Sequence, residues 1–395
     1  MLHSVPALLR RSSPAPLDRS TDDLGGPGGP RALARAGLRG VAQLARSERF
    51  ATVGRLAGAL TTPLLPADYL GLVAPLTLGA DLKGRIIGRR AETADATTLL
   101  IRPGRGWRPH TPGQYVRLGV DVDGVRHWRA YSVTSRPAPD LLAVTVKRIA
   151  GGKVSGHLVD AARPGQLVML DQATGDFVVP DGPPPSALFV TAGSGITPVM
   201  GILRSRPDLA DVVLVHSAPR RMDVVFGPEL RALAAAGRVR LIERHTDTDG
   251  LLHLAELDAL VPDWRARQAW VCGPAGLLDA AESHWDTAGL GEVLHVERFR
   301  PVVAATGEGG HVSLARQGLE LDAEGDRPLL DSAEDAGALM PSGCRMGICF
   351  GCAVPLTSGA VRDLRTGELT TAEPGDGVVI QTCITAAAGP CEIDA

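Results

Sequence analysis

Six cysteines occur in the 395-residue chain, and four of them fall between positions 344 and 383. Cys344-x4-Cys349-x2-Cys352, followed after thirty intervening residues by Cys383, is the spacing by which four thiolates converge on the two irons of a [2Fe-2S] cluster. One short loop would wrap three of the ligands. Gly343, Gly347 and Gly351 let its backbone turn tightly and aim N–H groups at the sulfurs. A structural zinc site is the competing chemistry, but such sites pair one C-x2-C with a second, or with two histidines, and the four-residue gap fits that poorly. Cys391 lies outside the pattern, and Cys272 belongs to a different motif.

A second constellation is Arg129-Ala130-Tyr131-Ser132. An arginine can grip a flavin phosphate at two points. A tyrosine two residues on shares its face of a strand and can stack on an isoalloxazine ring. The serine hydroxyl then reaches the N5 edge. An ordinary strand with a buried tyrosine explains the same four residues, so context must decide. That context is Gly151-Gly152-Lys153-Val154-Ser155, which follows one strand pattern and opens a helix. Glycines before a helix present free N–H groups and the positive dipole end to an anion. Lys147 and Lys153, two of only three lysines in the chain, flank the turn. A phosphate cradle is the economical reading, with Gln114 and Tyr115 candidates for lining the same pocket.

The third constellation is Thr191-Ala-Gly193-Ser-Gly195-Ile-Thr197-Pro198. Its glycines would let the backbone approach a pyrophosphate, and Pro198 suits a first helical turn. It is not the G-x-G-x-x-G fingerprint of dinucleotide sites. Further on, Val271-Cys272-Gly273-Pro274 ends a strand at the edge where open parallel sheets bind ligands. Cys272 is expected to face the nicotinamide, a small buried cysteine being the plainer alternative. Strand VVLVHS ends in Ser217, and Arg220 and Arg221 follow with no carboxylate before Asp223. A 2′-phosphate needs arginine there, so NADPH is expected rather than NADH.

The elements that must position these groups follow three rhythms. Residues 80–181 read as short strands separated by turns such as PGQ and DVDG, the pattern of a small antiparallel β-barrel for the flavin. Residues 182–300 alternate strand and helix, the pattern of a parallel α/β sheet for the nucleotide. A linker at 301–308 leads to a compact acidic β-rich unit at 309–395. Ahead of all three, residues 1–30 are Pro-, Gly- and Ser-rich and expected to be disordered, and residues 31–79 have the spacing of a helical extension.

Charge is distributed unevenly. Residues 1–60 hold nine Arg against four acidic residues, and residues 309–395 hold thirteen acidic residues against five Arg. The acidic unit should steer toward a basic protein partner, and the basic helical region is either a membrane-surface or docking element or a cap on the barrel. No secretory signal is legible. The uncharged stretch 182–203 is broken by Pro and Gly and does not suit a bilayer span. The expectation is a soluble cytoplasmic protein, docked at the inner face of the membrane if the basic segment serves that role. No DNA-binding element supports the alternative of a redox-sensing regulator.

Taken in order, the R-x-Y-S strand, the glycine–serine turn, the G-x-G-I-T-P turn, the C-G-P strand end and the C-x4-C-x2-C loop resemble the ferredoxin–NADP reductase superfamily with a fused C-terminal plant-type ferredoxin. The resemblance implies FAD or FMN on the barrel, a pyridine nucleotide on the α/β domain and a β-grasp fold for residues 309–395. It places Arg129, Tyr131, Ser132 and Ser155 on flavin positions, Thr197 and Cys272 on the nicotinamide side, and Phe299 near the flavin face. It implies electron transfer from NADPH through FAD to the [2Fe-2S] cluster and on to a protein acceptor. Residues 60–76, LTTPLLPADYLGLVAPL, running into DLKGRIIGRR, are similar to NADPH-dependent reductase partners of acyl-CoA desaturases, which implies a role in fatty acid desaturation. The reductase component of a multicomponent oxygenase is the alternative.

Overall fold

The computed structural model describes residues 74–77, 81–182, 184–299 and 305–395, apart from positions 344, 348 and 349. The expected tail and nearly all of the helical extension lie outside those residues.

Six antiparallel strands form the first sheet: β1 (Lys83–Thr93), β2 (Ala96–Pro103), β3 (Tyr115–Val122), β4 (Val125–Ser132), β5 (Leu142–Lys147) and β6 (Leu167–Leu170), in the order β4-β3-β6-β1-β2-β5. Alternation along these strands sends Ile86, Leu99, Val116, Leu118 and Val144 to one shared core. Asp123 and Gly124 join β3 to β4 with φ of 52° and 81°. Both positive values are those of a two-residue turn whose twist matches the flanking strands, which is why DG stands there. Just past β4, Val133 bridges Val144 of β5, and the Thr134 N–H donates to the Ala143 carbonyl at 2.8 Å, so the two edges of the sheet meet and the barrel closes. The expected helix after β5 is present as Lys153–Gly156 continuing into a π-turn, His157–Ala161, and it packs Val154, Leu158 and Val159 onto the barrel core. Before β1, the Leu76 carbonyl accepts the Arg105 N–H at 2.6 Å, so the end of the Pro-broken segment rests on the barrel.

The second sheet is parallel: β7 (Ser186–Ala192), β8 (Asp211–Ala218), β9 (Arg240–His245), β10 (Gln268–Cys272) and β11 (Leu294–Glu297), in the order β11-β10-β7-β8-β9. The run ALFVT of β7 is buried throughout, as a central strand covered on both faces must be. Phe189, Val199, Met200 and Trp270 pack on one side of the sheet, and Val190, Trp264, Leu278 and Trp285 on the other. Strand order reverses between β7 and β10, so the crevice at their carboxyl ends is the place where such sheets take ligands.

The third sheet contains β12 (Gly310–Leu314), β13 (Leu319–Ala323), β14 (Ala353–Asp363), β15 (Leu369–Ala372), β16 (Val379–Gln381) and β17 (Thr385–Ile393). Its order is β13-β12-β17-β14-β15, β12 and β17 run parallel, and β16 pairs with β14. Helix Leu329–Asp335 lies against this curled sheet and buries Leu329 and Ala333 among Val312, Val361 and Ile393. Among the described residues, no helix is long and apolar enough to cross a membrane.

Candidate redox site at the junction of three sheets

Strand β4 carries the flavin candidates. Pairing of Val116 with Tyr131 and of Leu118 with Arg129 puts Arg129 and Tyr131 on one face, and Ser132 on the other. The Arg129 guanidinium donates to the Trp128 carbonyl at 2.9 Å and is half-buried. Desolvation lowers its pKa, and the positive charge of Arg345 in the cysteine loop adds to that shift. Burial pushes the Tyr131 phenol well above its ordinary value. Ser132 is buried, and its Oγ has no hydrogen-bond partner. A buried hydroxyl without a partner is costly unless something else satisfies it, and a ring edge with a hydrogen-bonding nitrogen would.

The glycine turn after β5 is built as its sequence suggests, with a different division of labour. Gly151 has φ +70°. Gly152 lies so near Ser155 that a Cβ would come within 2.5 Å of its Oγ. The Ser155 hydroxyl accepts the Ile149 N–H at 3.1 Å and donates to the Gly152 carbonyl at 3.2 Å. It braces the turn rather than pointing free into a pocket. Val154 is buried beneath the turn, and Lys153 is exposed. Lys147 departs from expectation: its ammonium is bound to Asp95 at 2.5 Å, on the neighbouring strand end, so it is committed to that carboxylate instead of the cradle.

At the nucleotide turn, Gly193 has φ +55°, and a Cβ on Gly195 would lie 2.0 Å from the Cys272 carbonyl oxygen. Only glycine allows that approach, which locks the turn after β7 to the end of β10. The Thr197 hydroxyl donates to the Ser194 carbonyl at 2.9 Å, and Pro198 sits in the first turn of helix Ile196–Ser205. Gly273 packs close to Ala192, and Pro274 is extended just ahead of helix Ala275–Thr287. Backbone groups therefore line this crevice. Cys272 corrects the expectation of a side chain facing the nicotinamide: it is fully buried in the core, and burial raises its thiol pKa well above the ordinary value.

Ser217 is buried opposite Ala192 at the end of β8. Arg220 donates to Asp223 at 2.8 Å, and Arg221 lies 3.6 Å from Glu243. Both guanidiniums are paired, so a 2′-phosphate would have to compete with these carboxylates.

Two groups at the site were not singled out by sequence reasoning. Glu297 pairs in register with Cys272, its Oε2 is buried without a partner, and burial pushes its carboxyl up to about 8. A carboxylic acid kept protonated beside a ligand crevice can donate a hydrogen bond. Its only sequence signal is an acidic residue ending the edge strand. Arg345, inside the cysteine loop, pairs with Asp331 and Glu334 of helix Leu329–Asp335. Phe299, two residues beyond Glu297, is partly exposed.

Of the four candidate cluster ligands, Cys344 and Cys349 lie outside the described residues. Cys352 and Cys383 are both buried, beside Leu330 and Ile384. A hydrogen bond from Cys383 is the largest cause holding Cys352 down at about 6. The Thr382 hydroxyl donates to the Cys352 carbonyl at 3.1 Å, tying together the two stretches that bear these thiols. Gly347 has φ +75°, and a Cβ there would come within 2.6 Å of the Arg365 guanidinium. Two thiols brought together across thirty residues, one of them inclined to the thiolate form, fit a metal–sulfur centre.

The helix that opens at the nucleotide turn also abuts the barrel. A Cβ on Gly201 would lie 2.3 Å from the Val133 carbonyl, and Arg204 donates to the Thr134 carbonyl at 2.6 Å while gripping Glu229 at 2.8 and 2.6 Å. One short run, Arg129 to Thr134, thus feels the charge of Arg345 in the cysteine loop at one end and packs on the nucleotide helix at the other.

Two known families match parts of the chain. Residues 109–179 match the oxidoreductase FAD-binding domain family, and residues 312–388 match the 2Fe-2S iron-sulfur cluster binding domain family. An NADPH oxidoreductase of Mycobacterium tuberculosis is 49% identical over 350 residues, spanning 86% of this chain and 91% of its own length. The chain belongs to this family of flavin and iron–sulfur reductases. The reductase is also 30% identical over 306 residues to the glycine betaine monooxygenase reductase subunit of Pseudomonas aeruginosa, covering 69% of the chain and 84% of that protein. It is 32% identical over 317 residues to the ferredoxin reductase component of 3-ketosteroid-9-alpha-monooxygenase from Mycolicibacterium smegmatis, covering 73% and 90%. The solved structure of phthalate dioxygenase reductase matches in fold, with a TM-score of 0.57 at 22% identity, over 80% of this chain and 98% of that one. The reductase has FAD-binding and [2Fe-2S] domains and is an NAD(P)H-dependent enzyme that passes electrons to a partner.

Proposed function

We propose that this reductase draws hydride from NADPH and delivers single electrons to the oxygenase component of a multicomponent system. The observation that carries the reading is the run Arg129–Thr134, which lies within electrostatic reach of Arg345 in the cysteine loop at one end and packs on the nucleotide helix at the other. A bound flavin supplies conversion between two-electron and one-electron transfer, and a [2Fe-2S] cluster supplies a one-electron carrier.

The residues of the chain do the rest. Arg129 would hold the flavin phosphate, with the N–H groups of the Gly151–Val154 turn beside it. Tyr131 would wall the ring, and the Ser132 hydroxyl would hydrogen-bond its edge. The Gly193–Thr197 turn would receive the nucleotide pyrophosphate on backbone N–H groups. Gly273 and Pro274 would form the crevice floor, and protonated Glu297 would offer a hydrogen bond beside it. Cys344, Cys349, Cys352 and Cys383 would ligate the cluster. NADPH is favoured by the 49% identical NADPH oxidoreductase; Arg220 and Arg221 stand near the β8 end and would have to exchange their carboxylate partners for a 2′-phosphate. An oxygenase acceptor is favoured by the two monooxygenase reductases that match most of their length.

A membrane acyl-CoA desaturase is the alternative acceptor, carried by residues 60–76. The test is anaerobic reduction of a purified oxygenase component and, separately, of desaturase-bearing membranes, by the full chain and by a chain lacking residues 1–75. Oxygenase reduction that survives the truncation supports the proposal. Reduction confined to the membranes and lost on truncation favours the desaturase.

A further inference from the structure

A cavity of about 430 Å³ lies between the barrel and the [2Fe-2S] domain. Arg126, His127 and Lys153 line it from the barrel, and Glu334, Leu339 and Met340 from the other side. Its position along β4 is informative. His127, Arg129 and Tyr131 alternate onto the same face of the strand, so the face runs from a ring wall to a phosphate grip and then into the cavity. From Tyr131 to His127 this track is about 13 Å at the usual strand rise. A flavin mononucleotide ends at its single phosphate and would leave the cavity end of the track unused.

The lining suits a nucleotide. Glu334 and the cations Arg129, Arg345 and Lys153 all act on His127. Arg345 is itself paired with Asp331 and Glu334, and Arg126 with Asp121, which leaves Arg129 and Lys153 as the cations without an ion pair among the described residues to meet a phosphate at the entrance. Beyond it, Val122, Leu339 and Met340 offer apolar surface to a flat base. Burial holds His127 below its ordinary value, which leaves a neutral ring able to stack. The volume lies within the range of small-ligand sites.

We infer that the adenylate half of FAD occupies this cavity, with the [2Fe-2S] domain forming its outer wall. The inference rests on the reading of the barrel as the flavin site and extends it. The cluster domain then does more than receive electrons: it encloses the dinucleotide, selects FAD over FMN and must part from the barrel before the flavin can leave.

The experiment uses full-length protein stripped of flavin but retaining its cluster, with binding read by flavin fluorescence. FAD is expected to bind at least tenfold more tightly than FMN. Leu339 is 65% exposed, so Leu339→Trp should fold and partly fill the cavity. This variant should weaken FAD at least tenfold, leave FMN unchanged and keep the cluster absorbance. ADP should compete with FAD and not with FMN, a wild-type measurement that decides the matter alone if the variant misfolds. Equal affinity for FAD and FMN would overturn the inference, as would FAD binding unaffected by Leu339→Trp in a folded protein. ADP binding that leaves FAD affinity untouched would mark a separate nucleotide site and also overturn it. Failure to bind either flavin would instead refute the underlying reading of the barrel.

Discussion

Gly201 lies flush against Val133: a Cβ at position 201 would stand 2.3 Å from the Val133 carbonyl oxygen. The obstacle is backbone in a closed barrel, so it cannot swing aside. Helix propensity alone favours alanine over glycine there by about 1 kcal/mol, yet the collision is far inside van der Waals contact and must win. Gly201→Ala should therefore lower the melting temperature and, by shifting the nucleotide helix away from Ser132, slow flavin reduction by NADPH. Melting followed by flavin fluorescence, with stopped-flow reduction alongside, checks both. An alanine variant as stable and as fast as wild type would refute the seam.

The Ser132 hydroxyl is buried without a partner in the protein. Removing it should cost little stability, because no intramolecular hydrogen bond is lost. If it serves the flavin edge, Ser132→Ala should slow hydride transfer by roughly 10- to 100-fold, about 1.4 to 2.7 kcal/mol in barrier, with flavin content unchanged. Transient absorbance of flavin reduction is the measurement.

Glu297 predicts a pH dependence. Its carboxyl is pushed from an ordinary 4.5 to about 8 by burial. Between those values the folded protein holds a proton that the unfolded chain releases, so this group makes stability fall as pH rises from about 4.5 to about 8 and level off above. The slope from one such group is about 1.4 kcal/mol per pH unit. Glu297→Gln should remove that slope, and denaturant titrations at several pH values would show it.

Much of this was legible in the sequence, for identifiable reasons. All eleven strands of the barrel and nucleotide sheet announce themselves through β-rich apolar runs, and DG and the GSG turn mark places where φ or close approach demands glycine. What escaped depends on tertiary placement. Nothing local tells that Lys147 will find Asp95, that Ser155 will brace its own turn, or that Arg220 and Arg221 will meet Asp223 and Glu243. Cys272 was placed at the right strand end, but one residue's rotation decides between crevice and core. Glu297 became visible only when its burial and register with Cys272 were known.

The acidic [2Fe-2S] domain makes a prediction about delivery. Residues 309–395 carry thirteen acidic residues against five Arg. Electron transfer to a basic acceptor should slow as salt rises from low to physiological strength and beyond, because such steering is screened over about 8–10 Å. Flavin reduction by NADPH within the chain should change far less. Equal salt sensitivity of the two steps would count against docking through this domain.

The central claim is that one chain carries electrons from nucleotide to flavin to cluster, and anaerobic NADPH titration with simultaneous optical and paramagnetic-resonance detection tests it most directly. The account predicts that flavin and [2Fe-2S] signals are both reduced in wild type, and that a Cys383→Ser protein retaining its flavin still bleaches the flavin with no cluster signal. Flavin bleaching in wild type while an intact cluster stays oxidised would contradict it.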